Sequence, residues 1–78
     1  MNFPFKTRLG QNDISILVSK DMSVLEMLDA LSLAHQIPPH NQIVGFRDPM
    51  TGLIVPPSVV CQDPDQITKS ETYDVMIR

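Results

Sequence analysis

Among the 78 residues, Cys61, His35 and His40 are the side chains equipped for nucleophilic or metal chemistry. A thiolate–imidazole pair must lie within hydrogen-bond reach, with a third group orienting the base. Cys61 stands instead in the run Ser58-Val59-Val60-Cys61, where a cysteine behaves as a small hydrophobe. One cysteine and two scattered histidines also lack the clustered spacing of a zinc site. His35 reads as the end of a helix, where a partly cationic ring suits the carbonyl end of the dipole. Asp63 and Asp65 flank Pro64 and read as turn or cap residues, not as an acid–base pair. No catalytic, metal or cofactor-binding residue is assigned. The expectation is a protein that is not an enzyme.

Surface recognition is the better supported chemistry. Lys6, Arg8 and Arg47 set against Asp48, Glu71 and Asp74 give a face of both signs. Mixed charge suits a protein partner more than phosphate or lipid. Ile43, Gly45 and Met76 are expected on the same face, with Leu17 exposed on its strand and Leu33 on the far side of the helix. A net charge of −3 argues against nucleic acid or an anionic membrane as the main partner. No segment reaches the roughly 18–20 apolar residues of a membrane span, and the opening residues lack a leader pattern. A lone cysteine cannot form an internal disulfide, which suits a reducing compartment. The expected location is the cytoplasm, with the cytoskeleton or nucleus as further possibilities.

The segment Ser23 to Ile37 must organise whatever positions these residues. Ser23 with Glu26 makes a capping box. Val24, Met27, Leu28, Leu31 and Ala34 follow at helical spacing, and Pro38-Pro39 stops the helix. Phe3 and Phe5 alternate with polar neighbours, as do Ile14, Ile16 and Val18, so two strands are expected around a turn at Gly10 to Asp13. Gln42 to Asp48 reads as a third strand, with Val44 and Phe46 inward and Ile43, Gly45 and Arg47 outward. Asp48 to Gly52 is a turn and Leu53 to Val55 a short strand. Ser58 is expected to cap one helical turn, Ile67 to anchor a loop, and Tyr73 to Ile77 to close the chain. The order ββαβ(β)β predicts an α+β domain over residues 1–78, with a mixed sheet of four to five strands packed on one helix. Its first and last strands should be parallel neighbours at the centre.

Three stretches resemble the ubiquitin family. They are Met1 to Gly10, with Lys6-Thr7; Ile37-Pro38-Pro39-His40-Asn41-Gln42; and Asp65 to Arg78. In order around a matching helix, they imply the ubiquitin-like β-grasp fold. The departures bear on function. The family's conjugated members end in Gly-Gly, whereas this sequence ends at Arg78 without it, and so it is read as the non-conjugated type. The apolar recognition face of ubiquitin falls on Arg8 or Leu9, Gly45, Asp74 and Met76, so ordinary ubiquitin receptors are not expected partners.

The resemblance therefore implies a non-catalytic interaction, scaffold or localisation module, N-terminal in a larger intracellular protein. Its expected protein-binding residues are Lys6, Arg8, Ile43, Gly45, Arg47, Asp74 and Met76. The alternative is head-to-tail self-association like that of PB1 and DIX domains, with Lys6 and Arg8 meeting Asp63, Asp65 and Asp74 of the next copy. A Ras-type GTPase-binding domain ranks lower, because Ile14 to Ser19 carries no basic residue.

Overall fold

The computed structural model describes residues 2–38 and 42–78. Strands β1 (Asn2–Leu9) and β2 (Asn12–Ser19) form an opening antiparallel hairpin. The turn is tighter than expected: Leu9 pairs with Asn12, leaving Gly10 and Gln11 as a two-residue loop. Gly10 takes φ +63° there, a conformation that favours glycine. Pro4 lies opposite Leu17. Counting alternate pairs outward from the loop makes this a non-hydrogen-bonded pair, so the missing N–H removes no bond to β2. The β1–β5 ladder spans only Lys6 to Arg8, so Pro4 interrupts nothing on that side either.

Helix α1 spans Val24–His35 and begins at the expected capping box. Ser23 Oγ accepts from the Glu26 N–H at 3.1 Å, and Glu26 Oε1 accepts from the Ser23 N–H at 3.3 Å. The helix ends through Gln36, in the left-handed region at φ 55°, whose N–H donates back to the Leu33 carbonyl. Met27 and Leu31 are fully buried, and Val24 and Leu28 pack against the core at its edge. The last position of the predicted stripe is displaced by one residue. Ala34 is exposed and His35 is buried in its place. Ile37 is buried just beyond the helix; Pro39, His40 and Asn41 of the predicted corner lie outside the described residues.

Strands β3 (Ile43–Arg47), β4 (Ile54–Val55) and β5 (Thr72–Ile77) complete a mixed five-stranded sheet in the order β2-β1-β5-β3-β4. β5 runs parallel to β1 at the centre, as the crossover connection requires. Between β4 and β5 lie a short helix α2 (Pro57–Gln62) and a 3-10 turn at Pro64–Gln66. α2 buries Val60 and Cys61, but Pro56 occupies the cap position expected for Ser58. Pro57 at the first helical position supplies a fixed φ and has no N–H to satisfy. Ile67 is the expected buried anchor after it.

The core is built on Phe5, which meets Phe46 edge-on (centroids 5.0 Å apart, 88° between planes) and Tyr73 at 5.7 Å. Such aromatic pairs add about 0.5–1.5 kcal/mol beyond the area they bury. The Tyr73 hydroxyl accepts from the Thr68 N–H at 3.1 Å, so the ring is buried without orphaning its oxygen. This is an α+β domain with the β-grasp arrangement, its sheet wrapped on one main helix.

Candidate protein-interaction face

The face of the sheet turned away from α1 gathers most of the residues singled out in the sequence. Lys6 and Arg8 point there from β1, Asp74 and Met76 from β5, and Gly45 and Arg47 from β3. The register makes them neighbours: Arg8 opposes Asp74, Asp74 opposes Arg47, and Met76 opposes Gly45.

Ile43 does not join them, and the strand-three reading is corrected here. The ladder passes from Ile43–Ile77 directly to Gly45–Met76, so Val44 is the unpaired residue of a β-bulge. The extra residue reverses the alternation. Ile43 and Phe46 both turn toward the helix, and Val44 is half exposed. Ile43 then lines a groove of about 1030 Å³ beside Leu28, Ile37 and the exposed Leu25 and Leu33 of α1.

A side chain from β4 fills the place left open at Gly45. A Cβ on Gly45 would lie 2.7 Å from Ile54 Cγ2 and 3.1 Å from the Val55 carbonyl oxygen, both inside ordinary contact. Ile54 therefore lies over Gly45, and Met76 lies beside it on the neighbouring strand. Ile54 is 57% exposed. Leu53 and Met50 of the same hairpin are also exposed. Sequence reasoning missed Ile54, because a two-residue strand shows no alternation to read. Its signal was the glycine at an outward strand position, which marks close approach of another group.

Charges frame this apolar centre in a row running across four strands. Asp13 on β2 holds Arg8 on β1 in a two-pronged pair, Nε–Oδ1 at 2.7 Å and Nη2–Oδ2 at 3.2 Å. Arg8 faces Asp74 on β5, and Asp74 Oδ2 lies 3.9 Å from Arg47 Nη1 on β3. The hydrogen bond to Asp13, more than simple attraction, raises the Arg8 pKa and lowers that of Asp13. Exposed pairs of this kind are screened by water, so the row adds little to the stability of the fold. Asp48 is not an open charge as expected. It is turned into its hairpin, where Oδ1 accepts the Met50 N–H at 2.9 Å and holds the carboxyl below its usual range. Asp48 in turn pushes the Glu71 carboxyl up.

The candidate nucleophile and base lie apart. Cys61 is buried with Sγ 3.6 Å from Met27 Sδ, and burial pushes its thiol up. Met27 and His35 are eight residues apart on α1, about 12 Å along the axis. His35 is not the cationic helix end expected. It is 5% exposed, with Nε2 2.7 Å from the buried Thr7 Oγ1, and desolvation lowers its pKa. Among the described residues, no three His, Cys, Asp or Glu side chains come together as a metal site would need. No helix there is long and apolar enough to cross a membrane. Comparison with known proteins finds no family, no curated protein and no solved structure that matches the chain.

Proposed function

We propose that the chain is a non-catalytic, ubiquitin-like interaction module of a larger intracellular protein, docking a protein partner on its outer sheet face. The observation that carries this reading is the apolar centre formed by Ile54 and Met76 over Gly45, bordered by the Asp13–Arg8–Asp74–Arg47 row. A small apolar centre inside a polar, charged rim is the anatomy of a protein interface. Arg8, Arg47, Gly45, Asp74 and Met76 belong to this surface, with Lys6 at its border. Arg8 and Asp74 each have a partner within the chain, which weakens the case for head-to-tail assembly through those charges.

The test compares proteins retained from cell extract by the immobilised chain, by Ile54→Glu, and by Leu33→Glu on the exposed helix face. A partner kept by the wild type and Leu33→Glu but lost by Ile54→Glu supports the reading. The purified partner should then perturb the amide signals of Gly45, Arg47, Asp74 and Met76. Equal retention by all three proteins would overturn it.

A further inference from the structure

The sheet ends on one side at β2, which pairs with β1 alone; no other strand lies against its outer side among the described residues. The two-residue loop makes Leu9–Asn12 a hydrogen-bonded pair, so Asn12, Ile14, Ile16 and Val18 spend their backbone groups on β1. Asp13, Ser15, Leu17 and Ser19 aim theirs outward. The Ser19 carbonyl is taken by the Met22 N–H at 3.1 Å. Both groups of Asp13, Ser15 and Leu17, and the Ser19 N–H, have no partner in the ladder.

Sheet edges are ordinarily blunted by lysine, proline, a bulge or a short strand. β2 has none of these. It runs for eight residues, its pairing with β1 contains no register shift, and Ile14 to Ser19 carries no charge and no proline. Asp13, at one end, is already neutralised by Arg8.

We infer that β2 pairs antiparallel with β2 of a second copy of the chain, joining two sheets about a two-fold axis centred on Ile16. In that register Ser15 faces Leu17, both with their backbone groups free, and Asp13 faces Ser19, whose N–H alone is free. Ile16 faces Ile16 and Ile14 faces Val18 on the helix side. Ile14 and Ile16 are only half-buried within one copy, whereas Val18 is already fully buried, so the joint extends the core across the edge at the Ile16 pair. Leu17, 64% exposed, is covered on the outer face. Asn12 approaches Lys20, and no like charges stand opposite one another. The strand is complementary to itself, and that selects a second copy over an unrelated peptide. The joint is small, so the dimer is a weak, concentration-dependent one. It meets the proposed docking face only at Asp13, and the Ile54–Met76 centre stays open on either copy. A chain that remains monomeric would leave the outer-face reading standing.

The experiment is sedimentation velocity on the full chain from about 10 µM to about 1 mM, the range of small transient contacts. The mean mass should climb from 8.8 kDa toward twice that value. It should do so equally in about 0.5 M salt, where charge-driven head-to-tail contacts are screened. Leu17→Pro removes one outward donor without touching the β1 ladder and should abolish the rise. Ser15→Lys serves the same purpose with no demand on the backbone, and circular dichroism checks that each variant is folded. Amide exchange at Ser15 and Leu17 should slow as concentration increases, while Ile14 and Ile16 stay protected throughout. A constant 8.8 kDa species, association lost in salt, or association unchanged in a folded edge variant overturns the proposal.

Discussion

Acid should destabilise this domain in part through one ring. His35 is almost wholly buried, and Nε2 faces Thr7 Oγ1 at 2.7 Å while Nδ1 is buried with no partner. We assign the neutral tautomer with the proton on Nε2, because it leaves Nδ1 as a bare lone pair and not an N–H without an acceptor. Protonation would create both a buried charge and an orphaned donor at Nδ1. Desolvation accordingly lowers the His35 pKa, outweighing the attraction of Asp13, whose charge is shared with Arg8. The folded pKa lies below the unfolded one, so the native state binds fewer protons. The stability contributed by the neutral ring is complete above the unfolded value of about 6.5 and is lost as pH falls toward the folded pKa. One proton sets the steepest slope at about 1.4 kcal/mol per pH unit. With a urea m-value of about 1 kcal/mol/M, the midpoint falls by up to about 1.4 M per pH unit in that window. The assay is urea unfolding from pH 8 to pH 5 for the wild type and for His35→Leu combined with Thr7→Val, which removes the ring without stranding the threonine hydroxyl. The double variant should lose this part of the slope. An identical slope in both proteins would refute the reasoning, since every other titrating group, His40 included, is common to the two.

Four further outcomes are expected. Phe5→Ala deletes the ring that meets both Phe46 and Tyr73 and should cost about 3–5 kcal/mol. That is close to the whole stability of a domain this size, so thermal melts should show little or no cooperative transition. Ser23→Ala removes the hydroxyl that accepts the Glu26 N–H, while the Ser23 backbone N–H can still donate to Glu26; it should cost about 1 kcal/mol, read as a melting point lower by about 4–8 °C. Gly45→Ala drives a methyl against Ile54 and the Val55 carbonyl; it should cost about 1–3 kcal/mol and shift the Ile54 methyl signals. Glu71→Gln should raise the urea midpoint at pH 7 and lose that advantage in acid. The Glu71 carboxyl is pushed up by Asp48, so its folded form favours the proton, and the resulting stability is present below the unfolded pKa and lost as pH rises.

Local rules made much of the chain legible in advance. The capping box, the double-proline stop, and the alternation of Phe3, Phe5 and Ile14, Ile16, Val18 are interactions among residues close in sequence, so pattern alone yields the elements. The parallel pairing of the first and last strands followed from connection geometry. The exposure of Leu17 and Leu33 followed from phase. The errors fall where one position answers to a distant one. Val44 reads as an inward strand residue until the bulge against β5 displaces it, and the neighbouring Gly45, a residue that often marks a bulge, does not by itself say which residue is left unpaired. His35 reads as a helix-end cation until Thr7, an inward polar residue on β1, is found at its Nε2.

The candidate face divides the same way. Strand phase, together with the family resemblance that pointed to Arg8, Gly45, Asp74 and Met76, placed these residues with Lys6 and Arg47 on one side of a sheet. Which of these charges neutralise one another was decided by register, because only register puts Asp13, Arg8, Asp74 and Arg47 in one row. The replacement of Ile43 by Ile54 at the apolar centre was likewise a tertiary outcome. A bulge turned one isoleucine inward, and a two-residue strand laid the other across a glycine that had left room for it. Sequence settles what each segment can form with its own neighbours. Contacts between segments depend on how many residues each strand contributes to the pairing, and that count exists only once the strands have met.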